Sequence, residues 1–168
     1  MPENTEQVLG DAKKNGDLYE TSHDNLCELL GIEGLPQWIT QSLKELIAGK
    51  SWEELNNRFY KNLAFGTGGM RGRTIGVVVT KAERGRSKEG QTPEYAAVGS
   101  NTLNEITVLR ATKALYLYVR EWMSGEGILE QPRLVVAHDV RHFSRKFCEL
   151  VANAWSRLGG YSMIFDGP

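Results

Sequence analysis

Two stretches of this chain combine residue types and spacing that suit chemistry. Phe65-Gly66-Thr67-Gly68-Gly69-Met70-Arg71-Gly72 places four glycines in the seven positions 66–72, beside one arginine. Glycine permits the backbone angles of a tight loop, so that successive N–H groups can converge on an anion. Arg71 adds a planar, permanently charged fork that matches phosphate oxygens, and Thr67 adds a hydroxyl donor. No Gly-Lys-Ser/Thr follows, which separates the loop from nucleotide-binding P-loops. The run Gly66-x-Gly68-x-x-Arg71 also lacks the third glycine of a dinucleotide fingerprint. Taken alone, such a loop is more often a structural turn than an anion cradle.

The second stretch is His138-Asp139-Val140-Arg141-His142-Phe143-Ser144, directly after an apolar run and before a helical pattern. In open α/β sheets, ligands gather where strand C-termini meet helix N-termini. Asp139 and Arg141 are spaced to pair and brace the turn, and Ser144 is a natural N-cap. Organisation of the turn is favoured over direct ligand contact for these three. His138 and His142 have i, i+4 spacing but straddle the turn and lack a third ligand, so a polar or packed role is favoured over a metal site. Cys27 and Cys148 lie far apart and form no Cys-x-x-Cys pair, which suits buried structural thiols. Trp38, Trp52, Trp122 and Trp155 fall on helical apolar stripes and read as core.

The elements that must position these residues follow from periodicity. Residues 1–23 read as a poorly ordered lead-in. Asp24 then caps a short helix bearing Leu26, Leu29 and Leu30, and Pro36 opens a second with Trp38, Ile39, Leu43, Leu46 and Ile47. Ser51 and Glu54 form a capping-box pattern for a third. After the glycine loop, Ile75–Val79 is strand-like, and 81–101 reads as a long, exposed, mobile loop. A helix from Thr102 to about Met123 is expected to bury Val108, Ala111, Leu115, Tyr118, Val119 and Trp122. Strand 134–137, helix 144–158 and strand 161–165 then make a β-α-β unit, which implies parallel strands. The expected class is α/β: a three-layer α/β/α domain with a mixed sheet over 62–168, ending before it is complete. A short helical N-terminal extension over 1–61 precedes it.

Composition narrows the function classes. Twenty basic residues against 21 acidic ones, with a formal charge of -1, argue against a nucleic-acid or membrane partner recognised by bulk charge. Any anionic ligand must therefore be held locally. No apolar run approaches spanning length and the first residues are polar, so a cytoplasmic location is expected.

Taken in order, these motifs resemble the α-D-phosphohexomutase superfamily, the phosphoglucomutases and phosphomannomutases. Residues 65–72 match its F-G-T-x-G-x-R-G signature. Asn104-Glu105-Ile106-Thr107-Val108-Leu109-Arg110-Ala111-Thr112 looks like the start of the helix that follows. Asp139-Val140-Arg141-His142-Phe143-Ser144 resembles the D-x-R-x-x-S turn, and Phe165-Asp166-Gly167-Pro168 the next strand end. The lead-in with Trp52-Glu53-Glu54-Leu55 is similar to the branch of larger phosphoglucomutases and phosphopentomutase-like members. The likeness covers about residues 36–168 and rests on the order of the elements rather than on any one of them.

The resemblance implies the first domain of a four-domain mutase that moves a phosphate between two hydroxyls of a hexose or pentose phosphate. It implies a phosphoserine, Mg²⁺ and a sugar 1,6-bisphosphate in the full-length enzyme, with none expected on this chain alone. Arg71 would lie beside the phosphoserine and hold the bisphosphate, with Thr67, Gly68 and Gly69 shaping that wall. Asp139, Arg141 and Ser144 would support it from their own loop. No catalytic residue and no metal ligand is expected within these residues. The T-A-S-H-N-P serine loop, the D-G-D-x-D metal loop and the G-E-x-S-G sugar loop are absent, and 73–103 is longer than the family's usual link. The expected partners are the substrate and the remaining mutase domains. A stand-alone, non-catalytic sugar-phosphate-binding or interaction module of the same fold is the alternative.

Overall fold

The apolar spacing of the first hundred residues closes a helical cluster in the computed structural model, which describes residues 3–66 and 68–168. Helices α1 (Glu3–Lys14), α2 (Glu20–Leu30), α3 (Gln37–Ala48) and α4 (Trp52–Phe59) bury Leu9, Leu26, Ile39, Leu43, Leu46, Leu55 and Phe59. The lead-in is therefore not disordered within the described residues: α1 and the start of α2 lie in it. Its anchors are Leu9, Ala12 and Leu18, too few to give a clear period, and the side chain of Asn56. That amide accepts from the Tyr19 N–H and donates to the Asp17 carbonyl, each at 2.8 Å, and so ties the α1–α2 connection to α4. Asp24 sits inside α2 rather than capping it. Pro36 is the N-cap of α3, one position before its first turn.

The segment after α4 departs most from expectation. Residues 75–79 form bends rather than a strand, and 81–101 is fixed against the helices rather than free. A short helix, α5 (Lys81–Arg84), opens with a complete Thr80/Glu83 capping box, and Ala96, Ala97 and Val98 are buried. The cause is a buried ionic cluster. Arg58, 2% exposed, donates from Nε to Glu54 Oε1 at 2.7 Å, from Nη1 to Glu83 Oε1, and from Nη2 to the Val78 carbonyl at 2.6 Å. Glu54 Oε1 accepts from the Val77 N–H at 3.1 Å. Glu83 Oε1 accepts from the Val98 N–H at 3.0 Å and from Ser42 Oγ at 2.9 Å. Polar loop residues thus serve as ligands of an interior charge. Ser51 does stand at the N-cap of α4, but its side chain makes no cap bond, and Glu54 turns inward.

The chain divides into two compact units, one ending at Asn104 and a second, Glu105–Pro168, and residues 62–104 are bonded into the helical cluster of the first.

The second unit contains α6 (Glu105–Gly125), β3 (Arg133–Val136), α7 (Ser144–Arg157) and β4 (Tyr161–Ile164). Strands β3 and β4 are parallel, in register from Arg133↔Tyr161 to Val136↔Ile164, and α7 is the crossover between them. Its core is Phe147, Cys148, Ala152 and Trp155, with Trp155 edge-on to Tyr116 at 5.1 Å and its indole N–H on the Pro132 carbonyl at 3.1 Å. Helix α6 turns Val108, Thr112, Tyr116 and Met123 inward, whereas Leu115, Tyr118 and Trp122, expected in the core, are exposed. One neighbouring helix covers one stripe of a 21-residue helix, and these three lie off that stripe. Both cysteines are free; Cys148 is buried and Cys27 half-buried. The class is mixed α/β. No helix among the described residues is long and apolar enough to cross a membrane.

Candidate functional site

The glycine loop folds as a tight hairpin. Strands β1 (Phe65–Gly66) and β2 (Gly69–Met70) are antiparallel, pairing Phe65 with Met70 and Gly66 with Gly69. Gly68 and Gly69 have φ of 84° and 119°, in the region where a side chain is strained. Thr67 lies outside the described residues. Both ends of the hairpin are fastened to the 97–103 segment. The Leu63 N–H donates to the Ser100 carbonyl at 2.7 Å, the Leu103 N–H to the Arg73 carbonyl at 3.0 Å, and the Ala97 N–H to the Thr74 carbonyl at 2.9 Å. Gly72 lies so close to this segment that a Cβ there would sit 2.9 Å from the Leu103 nitrogen.

The hairpin presents its arginine outward. Arg71 is exposed, and its guanidinium makes no ion pair or hydrogen bond with the described residues. Two positions on, Arg73 stands with Nη1 4.0 Å from the buried Glu54 Oε2, which links the hairpin exit to the interior charge cluster. Burial by itself would lower the pKa of Arg58, but the Glu83 and Glu54 carboxylates outweigh it and hold this guanidinium above its ordinary value. Sequence reasoning missed Glu54, Arg58 and Glu83. The one legible signal was the i, i+4 spacing of Glu54 and Arg58, which reads equally well as a surface pair.

The second predicted stretch lies in the other unit, at the C-terminal end of β3. Arg141 is committed to Asp139: its Nε donates to Oδ2 at 2.7 Å and its backbone N–H to Oδ1 at 3.1 Å. Ser144 is the first residue of α7 rather than its cap. The N-cap is Phe143, in a left-handed conformation with φ 66°, and Ser144 Oγ accepts from the Asp139 N–H at 3.0 Å. Arg145, not singled out by sequence, gathers the surrounding ends. Its Nη1 donates to His138 Nε2 at 3.1 Å and to the carbonyls of Phe165 and Asp166 at 3.2 Å each. His138 Nε2 then accepts, leaving Nδ1 to carry the hydrogen given to the Asp139 carbonyl at 3.3 Å. The structure therefore groups Gly68, Gly69 and Arg71 in one unit and Asp139, Arg141 and Ser144 in the other.

Hydrogen bonds from Arg141 backbone and side chain, then from Ser144, hold the Asp139 carboxyl below its usual range. A carboxyl whose folded pKa is depressed adds stability above the unfolded value, and that contribution is lost as pH falls through the folded value. Asp139→Asn should therefore flatten the acid side of the melting-temperature profile, below the ordinary aspartate range, and lower the melting temperature at neutral pH. Thermal melts across that pH range measure both.

No family model matches the chain, and neither a curated protein nor a solved structure matches it.

Proposed function

We propose that this chain carries the phosphate-gripping wall of a phosphosugar mutase, an enzyme that transfers a phosphoryl group between two hydroxyls of one hexose or pentose phosphate. One observation carries the reading: a hairpin fastened at both ends holds out an arginine whose guanidinium has no ion pair or hydrogen bond among the described residues. A charged fork left without an internal partner on a rigid mount is organised for a ligand, and the planar pair of donors selects phosphate or carboxylate. The sugar-phosphate class is what the resemblance of the ordered motifs implies. In this reading the β3-α7-β4 crossover is part of a three-layer α/β/α domain with a mixed sheet, and the enzyme acts in the cytoplasm.

Arg71 binds and orients. Its guanidinium spans two phosphoryl oxygens, fixes the phosphate of a substrate or sugar 1,6-bisphosphate against the hairpin, and offsets the negative charge that spreads over those oxygens during transfer. Gly68 and Gly69 let the phosphate approach the main chain, because no Cβ stands between it and the N–H groups. Asp139, Arg141 and Ser144 act one step removed, keeping the β3–α7 turn in shape. Among the described residues no group of three or more His, Cys, Asp or Glu is placed to hold a metal ion, and no step is assigned to Mg²⁺ here. The family's serine motif is not among these residues, so no nucleophile is assigned here.

The test is enzymatic, on the full-length protein that contains this chain. Glucose 1-phosphate should be converted to glucose 6-phosphate once sugar bisphosphate and Mg²⁺ are supplied, or the corresponding mannose, glucosamine or pentose phosphates should isomerise. The 168-residue chain by itself should show no turnover. Failure of all four substrates with the full-length protein overturns the assignment.

A further inference from the structure

A second site lies away from the hairpin, on the opposite side of α3 from its buried stripe. A cleft of about 610 Å³ opens between α3 and the α5 segment, and none of residues 65–72 lines it. Gln37, Gln41 and Glu45 follow one another at four-residue steps along α3, so their side chains line one wall at roughly 5–6 Å intervals. Glu45 is already engaged, accepting from the Lys81 N–H at 2.6 Å and the Ala82 N–H at 3.2 Å. The amides of Gln37 and Gln41 have no partner among the described residues, so each offers a donor and an acceptor to the cleft. Across from them, Arg86 is locked onto Glu94 through Nη2 at 2.7 Å and through its backbone N–H at 2.8 Å. Trp38 and Tyr95 complete the lining, stacked with ring centroids 4.3 Å apart and 14° between planes.

The chemistry of this lining selects its ligand. Two acids, Glu45 and Glu94, face two bases, Lys81 and Arg86, so the cleft has no net charge to draw an anion. It contains no aliphatic side chain larger than Ala82 to seat an apolar group. Because Trp38 and Tyr95 lie flat on each other, no slot stands open between them for a proline. What remains is a row of amide donors and acceptors, a paired guanidinium and carboxylate, and aromatic surface. A neutral, polyhydroxylated ligand satisfies all three at once: hydroxyls on the amides, C–H faces against the rings.

We infer that this cleft is a binding site for a short neutral oligosaccharide, separate from the phosphate site and independent of the mutase reading. Gln37 and Gln41 take the hydroxyls, and the Trp38–Tyr95 pair takes a sugar face. The intact chain, isotope-labelled, is titrated with maltotriose, cellotriose and triacetylchitotriose while the side-chain amide signals of Gln37 and Gln41 are followed. At least one trisaccharide should move both signals saturably, with a Kd on the order of 1 mM. The double variant Gln37→Ala/Gln41→Ala, at exposed helix positions, should melt normally and bind at least tenfold more weakly. Arg71→Ala should bind the trisaccharide as the unaltered chain does, even if it fails with sugar phosphates. The inference is overturned if none of the three moves those signals, if the double variant binds equally well, or if a polyproline peptide moves them and the sugars do not.

Discussion

Arg58→Ala should come close to unfolding the first unit. Glu54 is 4% exposed and Glu83 1%; Arg58 is the buried guanidinium paired with both, and half-exposed Arg73 reaches Glu54 only at 4.0 Å. Removing one partner of a buried ionic group leaves the others uncompensated, at a cost of about 3–5 kcal/mol. A domain of this size has a total stability of roughly 5–15 kcal/mol, so a large share would go at once. The loss should reach beyond the charges, because the Arg58 side chain also holds the Val78 carbonyl through Nη2 at 2.6 Å and the Val98 carbonyl through Nη1 at 3.3 Å. Arg58→Met combined with Glu54→Gln and Glu83→Gln should recover much of the loss, since neutral side chains carry no comparable desolvation penalty. Denaturant midpoints followed by circular dichroism measure both variants. An Arg58→Ala chain within about 1 kcal/mol of the original would show that the cluster contributes no more than an ordinary surface pair.

The second large effect is expected on rate rather than on stability. On the proposed mutase reading, Arg71→Ala in the full-length protein should lower kcat/KM on the order of a hundredfold, about 3 kcal/mol, the usual cost of removing one charge-stabilising donor. Arg71→Lys should recover only part of it, because an ammonium keeps the charge and loses the two-pronged geometry. The melting temperature should stay nearly constant in both, since the guanidinium makes no ion pair or hydrogen bond among the described residues. Arg141→Ala is the contrast. Its side chain is paired with Asp139 at 2.7 Å, so its loss should loosen the β3–α7 turn at least as much as it slows turnover. Steady-state kinetics alongside thermal melts separate the two roles.

The helices with a strong period were legible from sequence. α7 stands within a residue of its expected bounds, α3 and α4 start one residue after Pro36 and Ser51, and the parallel pairing of β3 with β4 followed from the crossover between them. Polarity misled elsewhere. Residues 81–101 carry charges and turn formers, which ordinarily mark solvated backbone, yet Glu83 reaches Arg58 across 25 positions of sequence and is buried. No local window can register a pairing at that distance. The same cluster explains the missing strand at 75–79, whose Val77 N–H and Val78 carbonyl are bonded to side chains rather than to another strand. α6 failed differently: its apolar residues occupy more than one face, and the pattern alone did not show which face meets α7.

The candidate site was legible as a composition but not as a mount. Four glycines around Arg71 predict a tight turn, and Gly68 and Gly69 do adopt the backbone angles only glycine takes easily. The bonds that make the turn rigid come from Ser100, Arg73 and Leu103, and nothing in the motif names them. For Asp139 and Arg141 the spacing itself encodes the contact, because two residues is the reach of an aspartate onto its own turn.

The most direct test of the phosphate site is a titration of the isotope-labelled chain with glucose 1-phosphate, with glucose as the control. The backbone amides of Gly68, Gly69 and Arg71 should move saturably with the phosphorylated sugar and stay still with glucose, and Arg71→Ala should weaken the response at least tenfold without lowering the melting temperature. Still signals at all three positions, or an equal response in the Arg71→Ala chain, would contradict the assignment of the hairpin as a phosphate site.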